Sequence, residues 1–290
     1  MGTRYSGWQF QTNARTVAGE IMEAIHRATG QRVIEVYGSG RTDAGVHALH
    51  QVAHIDLARA VDPDEFLRAV NDELPGDINL LSVVRAPEGF HARHSATART
   101  YVYRLSRRRT AFEKPVVWWV KDALDVAAMA SAARALCGMH DFKAFSQRDP
   151  ARPEESTQVK VDAVEVYEQG SNIFIRIRGS HFLWKMVRRI VGVLVEVGRG
   201  RLAPGDVARI MAQDGASVAE FTAPPSGLAL ESVSYGLPSG PQGRSSRDEF
   251  RPRGERSGAG EDRREGEWPR RSASRESPPA RDTRTFRRRG

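Results

Sequence analysis

The sequence predicts an α+β protein of two similar halves followed by an unstructured tail, and three observations carry that reading. Between residues 13 and 84 a helical pattern, two β-rich stretches, a second helical pattern and a third β-rich stretch follow one another. From residue 100 to 235 strands and helices recur in a similar outline. Beyond Leu237, apolar residues thin to isolated ones such as Phe250, Trp268 and Phe286 among Arg, Ser, Gly, Pro and Glu. The expected units are residues 1–99, 100–237 and 238–290.

The first helix is expected after Asn13 as cap, with Val17, Ile21, Ala24, Ile25 and Ala28 at helical spacing and Gly30 placed to end it. Arg32 to Tyr37 is short and β-branched. Gln51 to Leu57 alternates Ala53, Ile55 and Leu57 with polar neighbours, so both read as strands, and Arg41-Thr42-Asp43 falls in the connection between them. Asp62-Pro63 starts a second helix over Asp64 to Asn71, Pro75-Gly76 ends it, and Ile78 to Val84 reads as a third strand. In the second half, strands are expected at Thr100 to Leu105, Gln158 to Tyr167, Asn172 to Arg178 and Leu228 to Tyr235. Helices are expected at Asp125 to Cys137 and Phe182 to Val197. Such halves cover one sheet face with helices and leave the other face, or the groove between them, for a ligand.

Composition excludes several classes. With 290 residues, 40% of them hydrophobic, the chain can bury a substantial core. Its single cysteine, Cys137, rules out a disulfide framework or a CxxC metal site. No apolar run approaches the ~20 residues of a membrane span, and the first residues lack the layout of a secretory signal, so a cytoplasmic location is expected. The net charge of +8 sits mostly in the tail, where 15 Arg face 9 acidic residues. RNA binding by the folded part therefore has to rest on local clusters.

Gly38-Ser39-Gly40 begins like a nucleotide-binding glycine loop, but GxGxxG needs a glycine where this chain has Asp43. Alone, Asp43 in a glycine-flanked turn is an ordinary turn residue. Its surroundings change that. Gly40-Arg41-Thr42-Asp43-Ala44-Gly45-Val46-His47-Ala48 resembles the signature of the TruA family of tRNA pseudouridine synthases. In order along the chain, the resemblance extends to Tyr5-Ser6-Gly7-Trp8-Gln9, Leu74-Pro75-Gly76-Asp77-Ile78 and Phe90-His91-Ala92-Arg93 with Ser95 to Arg99. It continues through Tyr101-Val102-Tyr103-Arg104, Met186-Val187-Arg188 and Gly227-Leu228-Ala229-Leu230. It covers about residues 3 to 237.

The resemblance implies ferredoxin-like (RRM-like) halves around an antiparallel sheet, with the catalytic cleft between them. It implies Asp43 as the catalytic aspartate, Arg188 as its electrostatic partner and Tyr101 as the contact to the target uracil. It further implies RNA contacts from Arg41 and from Phe90, His91, Ala92 and Arg93. Arg99, Arg104, Arg107, Arg108, Arg109 and Lys114 extend this stretch into the densest basic run of the body, suited to phosphates. The implied reaction turns uridine into pseudouridine at positions 38, 39 and 40 of the tRNA anticodon stem-loop, on a homodimer. Breaking N1–C1′ and joining C5 to C1′ needs no redox change, so no cofactor is expected.

Tyr103 shares the strand face of Tyr101, so one of the pair is expected in the core. Outside the resemblance, Arg188 reads as a surface arginine on an amphipathic helix. His47, His50 and His54 cannot share one face in a turn followed by a strand, so no metal is expected. Family members begin with a strand leading into a Tyr-Asp-Gly-Thr-type segment, whereas this chain opens at Met1-Gly2-Thr3. The first strand is thus expected to be missing, with a start assigned too far downstream as the favoured reason, and its loss would leave backbone groups unpaired in the first half.

Overall fold

A computed structural model of the chain describes residues 1–33, 35–148, 154, 156–213 and 218–236. The tail expected at 238–290 lies outside the described residues.

A long sheet dominates. Its strands are β2 (His47–Ala48), β4 (Ala96–Ser106), β5 (Trp118–Trp119), β6 (Gly138–Asp141), β7 (Gln158–Gln169), β8 (Asn172–Gly179) and β9 (Leu228–Tyr235). They lie in the order β2-β9-β4-β8-β7-β6, with β5 alongside the end of β4. The expectation of an antiparallel sheet needs correcting: β2 runs parallel to β9, and β5 parallel to β4, so the sheet is mixed. The β7–β8 hairpin follows from alternating sequence. Val159 and Val161 on β7 and Ile173, Ile175 and Ile177 on β8 are fully buried on one face. On the other face Arg176 forms a two-pronged ion pair with Glu231 and lies over the Tyr167 ring.

Helices α3 (Val126–Ala133), α4 (Met186–Gly198) and α5 (Asp206–Ala212) belong to the same core. Asp125 caps α3 by accepting from the Ala128 N–H, and the helix tightens into a 3-10 turn over Arg134–Leu136. Every residue of α4 except Arg188 is buried. The helix is therefore a central rod, which corrects the amphipathic surface reading.

The first half holds α1 (Val17–Thr29) and α2 (Pro63–Glu73), packed on each other, and a two-residue ladder between β1 (Tyr37–Gly38) and β3 (Ala53–His54). The cap of α1 is Thr16, whose hydroxyl accepts from the Gly19 N–H, rather than Asn13; Gly30 closes the helix in a left-handed conformation. Asp62 caps α2 with its carboxylate, and Pro63 occupies the first turn, where no backbone donor is lost.

The strands expected over 32–37 and 51–57 shrink to those two-residue pieces, and Ile78–Val84 joins no ladder among the described residues. Their apolar side chains still pack, although Ala53 of the expected alternation is exposed: Val33, Val36, Ile55, Leu57, Ile78, Leu80 and Val83 gather around α1 and α2 with Ile21, Ile25, Phe66 and Val70. Alternation reports burial of one face, while a ladder also needs a neighbouring backbone. Leu80 illustrates the substitute, since the Asn71 amide donates to its carbonyl at 2.9 Å and accepts from its N–H at 2.8 Å. A second four-stranded unit matching the later half is not formed by the described residues.

Candidate active site

The Gly40–Gly45 loop hangs between β1 and β2 and is held from several sides. Ser39 donates its N–H to the Val52 carbonyl and its hydroxyl to Gln51, whose amide in turn donates to the Gly40 carbonyl at 2.8 Å. The Trp8 N–H donates to the Thr42 carbonyl, and the Val46 N–H to that of Asp43, closing a turn in which Gly45 takes φ +78°. Gly7 runs so close that a Cβ there would stand 2.6 Å from the Thr42 oxygen. These contacts fix the backbone and leave the Asp43 side chain about one quarter exposed.

Arg188 reaches Asp43 across the cleft. Its Nη1 lies 3.2 Å from Asp43 Oδ2, and its Nε donates to the Ala223 carbonyl at 2.8 Å. The Ala223 N–H returns a bond to the Arg188 carbonyl at 3.1 Å. The guanidinium is therefore oriented from behind before it meets the carboxylate, the arrangement in which an arginine fork loses least entropy per bond.

Tyr101 and Tyr103 are both buried on β4. Tyr103 is completely buried and donates its hydroxyl to the Pro224 carbonyl at 2.8 Å. Tyr101 lines the cleft, packed edge-on against Phe182 with ring centroids 5.2 Å apart. Thr100 pairs with Ser232 but Tyr101 with Leu230, so Glu231 is an extra residue of β9 at this point. Such bulges re-aim the neighbouring side chains. Burial, assisted by the Asp43 charge and opposed by Arg99, pushes the Tyr101 phenol up to about 12, so it is neutral at physiological pH.

The cleft has a volume of about 420 Å³, within the usual range for small-molecule sites. Among the described residues, five arginines, Arg41, Arg93, Arg99, Arg148 and Arg188, line it together with Lys185, against one carboxylate, Asp43. A cleft with that balance focuses positive potential and suits a polyanion. Arg148, Phe182, Trp184 and Lys185 escaped the reading of the sequence. The signal for Trp184 was an aromatic residue just before a buried helix; it is 43% exposed, with the Lys185 ammonium 5.3 Å from its ring centroid.

The basic stretch divides. Arg93 lines the cleft, whereas Ala92 is fully buried, its N–H given to His54 Nδ1 and its carbonyl taking the Tyr235 hydroxyl. Phe90 packs against Tyr235, and His91 against His54 and His94. Arg99 is buried rather than part of a phosphate-facing run. Arg104 and Arg107 pair with Glu113 and Glu168. Arg109 is exposed beyond the far end of β4, over Trp119, and does not line the cleft. His47 is buried, accepts from the Gly2 N–H and contacts the Pro115 carbonyl, so it is not directed to a common point with His54. Among the described residues no three His, Cys, Asp or Glu side chains converge as metal ligands, and no helix is long and apolar enough to cross a membrane.

Comparison with known proteins gives the family. A family model described as tRNA pseudouridine synthase matches residues 1–95 and 132–236. The chain is 41% identical over 237 residues to tRNA pseudouridine synthase A of Afipia carboxidovorans, covering 81% of this chain and 96% of the relative. The enzyme of the same name from Maricaulis maris is 40% identical over 237 residues, with 81% and 94% covered. That of Geobacter sulfurreducens is 40% identical over 236 residues, with 81% and 96% covered. The aspartate, arginine and tyrosine gathered in the cleft thus sit in a chain that belongs to the tRNA pseudouridine synthase family of isomerases.

Proposed function

We propose that this isomerase converts uridine to pseudouridine at positions 38, 39 and 40 of the tRNA anticodon stem-loop, with Asp43 as nucleophile. The observation that carries the reading is the Asp43–Arg188 pair at 3.2 Å in a cation-lined cleft beside the buried Tyr101. The uridine enters flipped from its stem, since no side chain can reach C1′ or C5 inside a stacked helix. Arg41, exposed two residues before Asp43, occupies the vacated position or its phosphate.

The Asp43 carboxylate engages the sugar at C1′ or the base, the N1–C1′ bond breaks, and the uracil turns against Tyr101 and Phe182. C5 then bonds to C1′ and the Asp43 carboxylate is released, the C5 proton leaves to a base, and N1 takes up a proton, so atoms and electrons balance without a cofactor. Arg188 holds the carboxylate aimed throughout. Residues 1–99 and 100–237 act as two α+β halves that meet at this cleft, and Arg93, Phe90, His91 and Arg109 belong to the RNA-facing side. The chain acts as a homodimer with one tRNA spanning both subunits.

The test is to incubate the protein with an unmodified tRNA carrying uridines at 38, 39 and 40 and to map pseudouridine by carbodiimide labelling and primer extension. Stops at those positions are expected. Stops confined to other positions would refute the site assignment, and tRNA binding without any stop would leave a silent RNA-binding protein on this scaffold.

A further inference from the structure

Arg99 is 8% exposed, and among the described residues no carboxylate pairs with it. Its guanidinium is instead shared by four backbone carbonyls. Nη1 donates to Ser180 at 2.8 Å and to Ala96 at 3.2 Å. Nη2 donates to Arg93 at 2.6 Å and to Ser39 at 3.1 Å. A buried guanidinium is held this way only where its planar fork matches acceptors fixed by the fold.

Two of the four acceptors, Ser39 and Arg93, line the cleft, and Ala96 starts β4. Ser39 is the root of the loop that carries Asp43. Arg93 lines the cleft from the 90–95 segment, and Ser180 opens the connection from β8 to α4, which bears Phe182, Trp184 and Lys185. Arg99 itself lies two residues before Tyr101 on β4. One side chain therefore ties the aspartate loop, the basic segment and the approach to α4 to the strand that presents the tyrosine. We propose that Arg99 is the positioning residue that sets the Asp43 loop against Tyr101 and Arg188 for catalysis. This rests on the reading of Asp43 as the catalytic group.

Lysine keeps the charge but offers one nitrogen, which cannot span acceptors that Arg99 serves from two. The experiment compares Arg99→Lys, Arg99→Ala and Asp43→Asn with the full-length protein in the tRNA tritium-release assay, with kcat normalised to the folded fraction from circular dichroism. Arg99→Lys should lose on the order of 100-fold in kcat, the scale of a misplaced reacting group, while KM for tRNA changes little. Methylguanidinium should restore part of the kcat of Arg99→Ala. Amide exchange should quicken at 39–43 and 180–185 without change in the central strands.

Wild-type kcat in Arg99→Lys would overturn the proposal. So would a loss confined to KM, which marks a phosphate contact, or one explained by folded fraction alone with no rescue, which marks a structural role. An active Asp43→Asn would instead refute the catalytic reading on which the proposal rests. An inactive Asp43→Asn beside a fully active Arg99→Lys refutes the Arg99 assignment alone.

Discussion

Replacing Gly192 by alanine tests how Arg188 is held. Gly192 lies on α4 one turn after Arg188, where the helix crosses the 219–221 turn backbone to backbone. A Cβ at this position would fall 1.4 Å from the Phe221 carbonyl oxygen and 2.6 Å from its carbon. To restore ordinary van der Waals contact, which begins at 3.4 Å, the helix and the turn must separate by about 2 Å. Neither partner is a flexible side-chain end, so backbone has to move.

The two hydrogen bonds between Arg188 and Ala223, at 2.8 and 3.1 Å, lie beside this contact and do not survive that shift. The Asp43 contact, already 3.2 Å, passes beyond hydrogen-bonding range. Overpacking costs about 1–3 kcal/mol, and each of the two bonds lost to Ala223 about 1 kcal/mol, for roughly 3–5 kcal/mol together. In a domain of this size that lowers Tm by roughly 6–20 °C. The misplaced guanidinium should lower kcat on the order of 100-fold. Calorimetry and tritium release from tRNA labelled at uridine C5 read the two effects separately. Val193→Ala, which removes buried methyls on the same turn, should lower Tm but leave kcat per folded molecule near wild type. A Gly192→Ala protein with unchanged Tm and kcat would refute the claim that this close crossing positions Arg188.

Trp184→Ala should raise KM for tRNA about tenfold with little change in kcat, the worth of one lost base–aromatic stack, while Trp184→Phe stays near wild type; equal kinetics for all three would show that no base stacks there. Burial lowers the His47 pKa, so the unfolded chain binds the proton more readily than the folded one. The stability from neutral His47 is complete above about pH 6.5 and is lost as pH falls below it. Urea melts of His47→Asn between pH 7.5 and 5 should accordingly show a shallower loss than wild type, and parallel curves would refute this. The Tyr101 phenol behaves in the opposite sense: raised to about 12, its burial stabilises the fold up to about pH 10, and that contribution drains away as pH rises further. Melts of Tyr101→Phe should thus lose less stability than wild type above pH 10, and a phenolate signal from Tyr101 near pH 9 would contradict the burial.

Much of the later half could be read from local pattern. The strand Leu228–Tyr235 and the β7–β8 pair follow alternation over long runs, and α4 follows an apolar stretch. The first half exposes the limit. Val33, Val36, Ile55 and Leu57 pack into the first-half core, yet pairing depends on which backbone arrives beside them, and among the described residues of these two stretches only Tyr37–Gly38 and Ala53–His54 find one. Asp43, Tyr101 and Arg188 were singled out by a resemblance spread over three segments, and the fold brings all three to one cleft. Arg99 was legible only as a basic residue: its four acceptors come from Ser39, Arg93, Ala96 and Ser180, and a spacing pattern does not reveal such a convergence. The bulge at Glu231 beside Tyr101 is likewise a property of two strands in register.

The central claim is that Asp43, held by Arg188, performs an isomerisation that needs nothing but tRNA. Its most direct measurement is tritium release from unmodified tRNA labelled at uridine C5, with no added metal or nucleotide, for wild type and Asp43→Asn. The account predicts turnover by the wild type and none by Asp43→Asn, with tRNA affinity of the variant largely kept because phosphate contacts dominate it. Release by Asp43→Asn at the wild-type rate would contradict it.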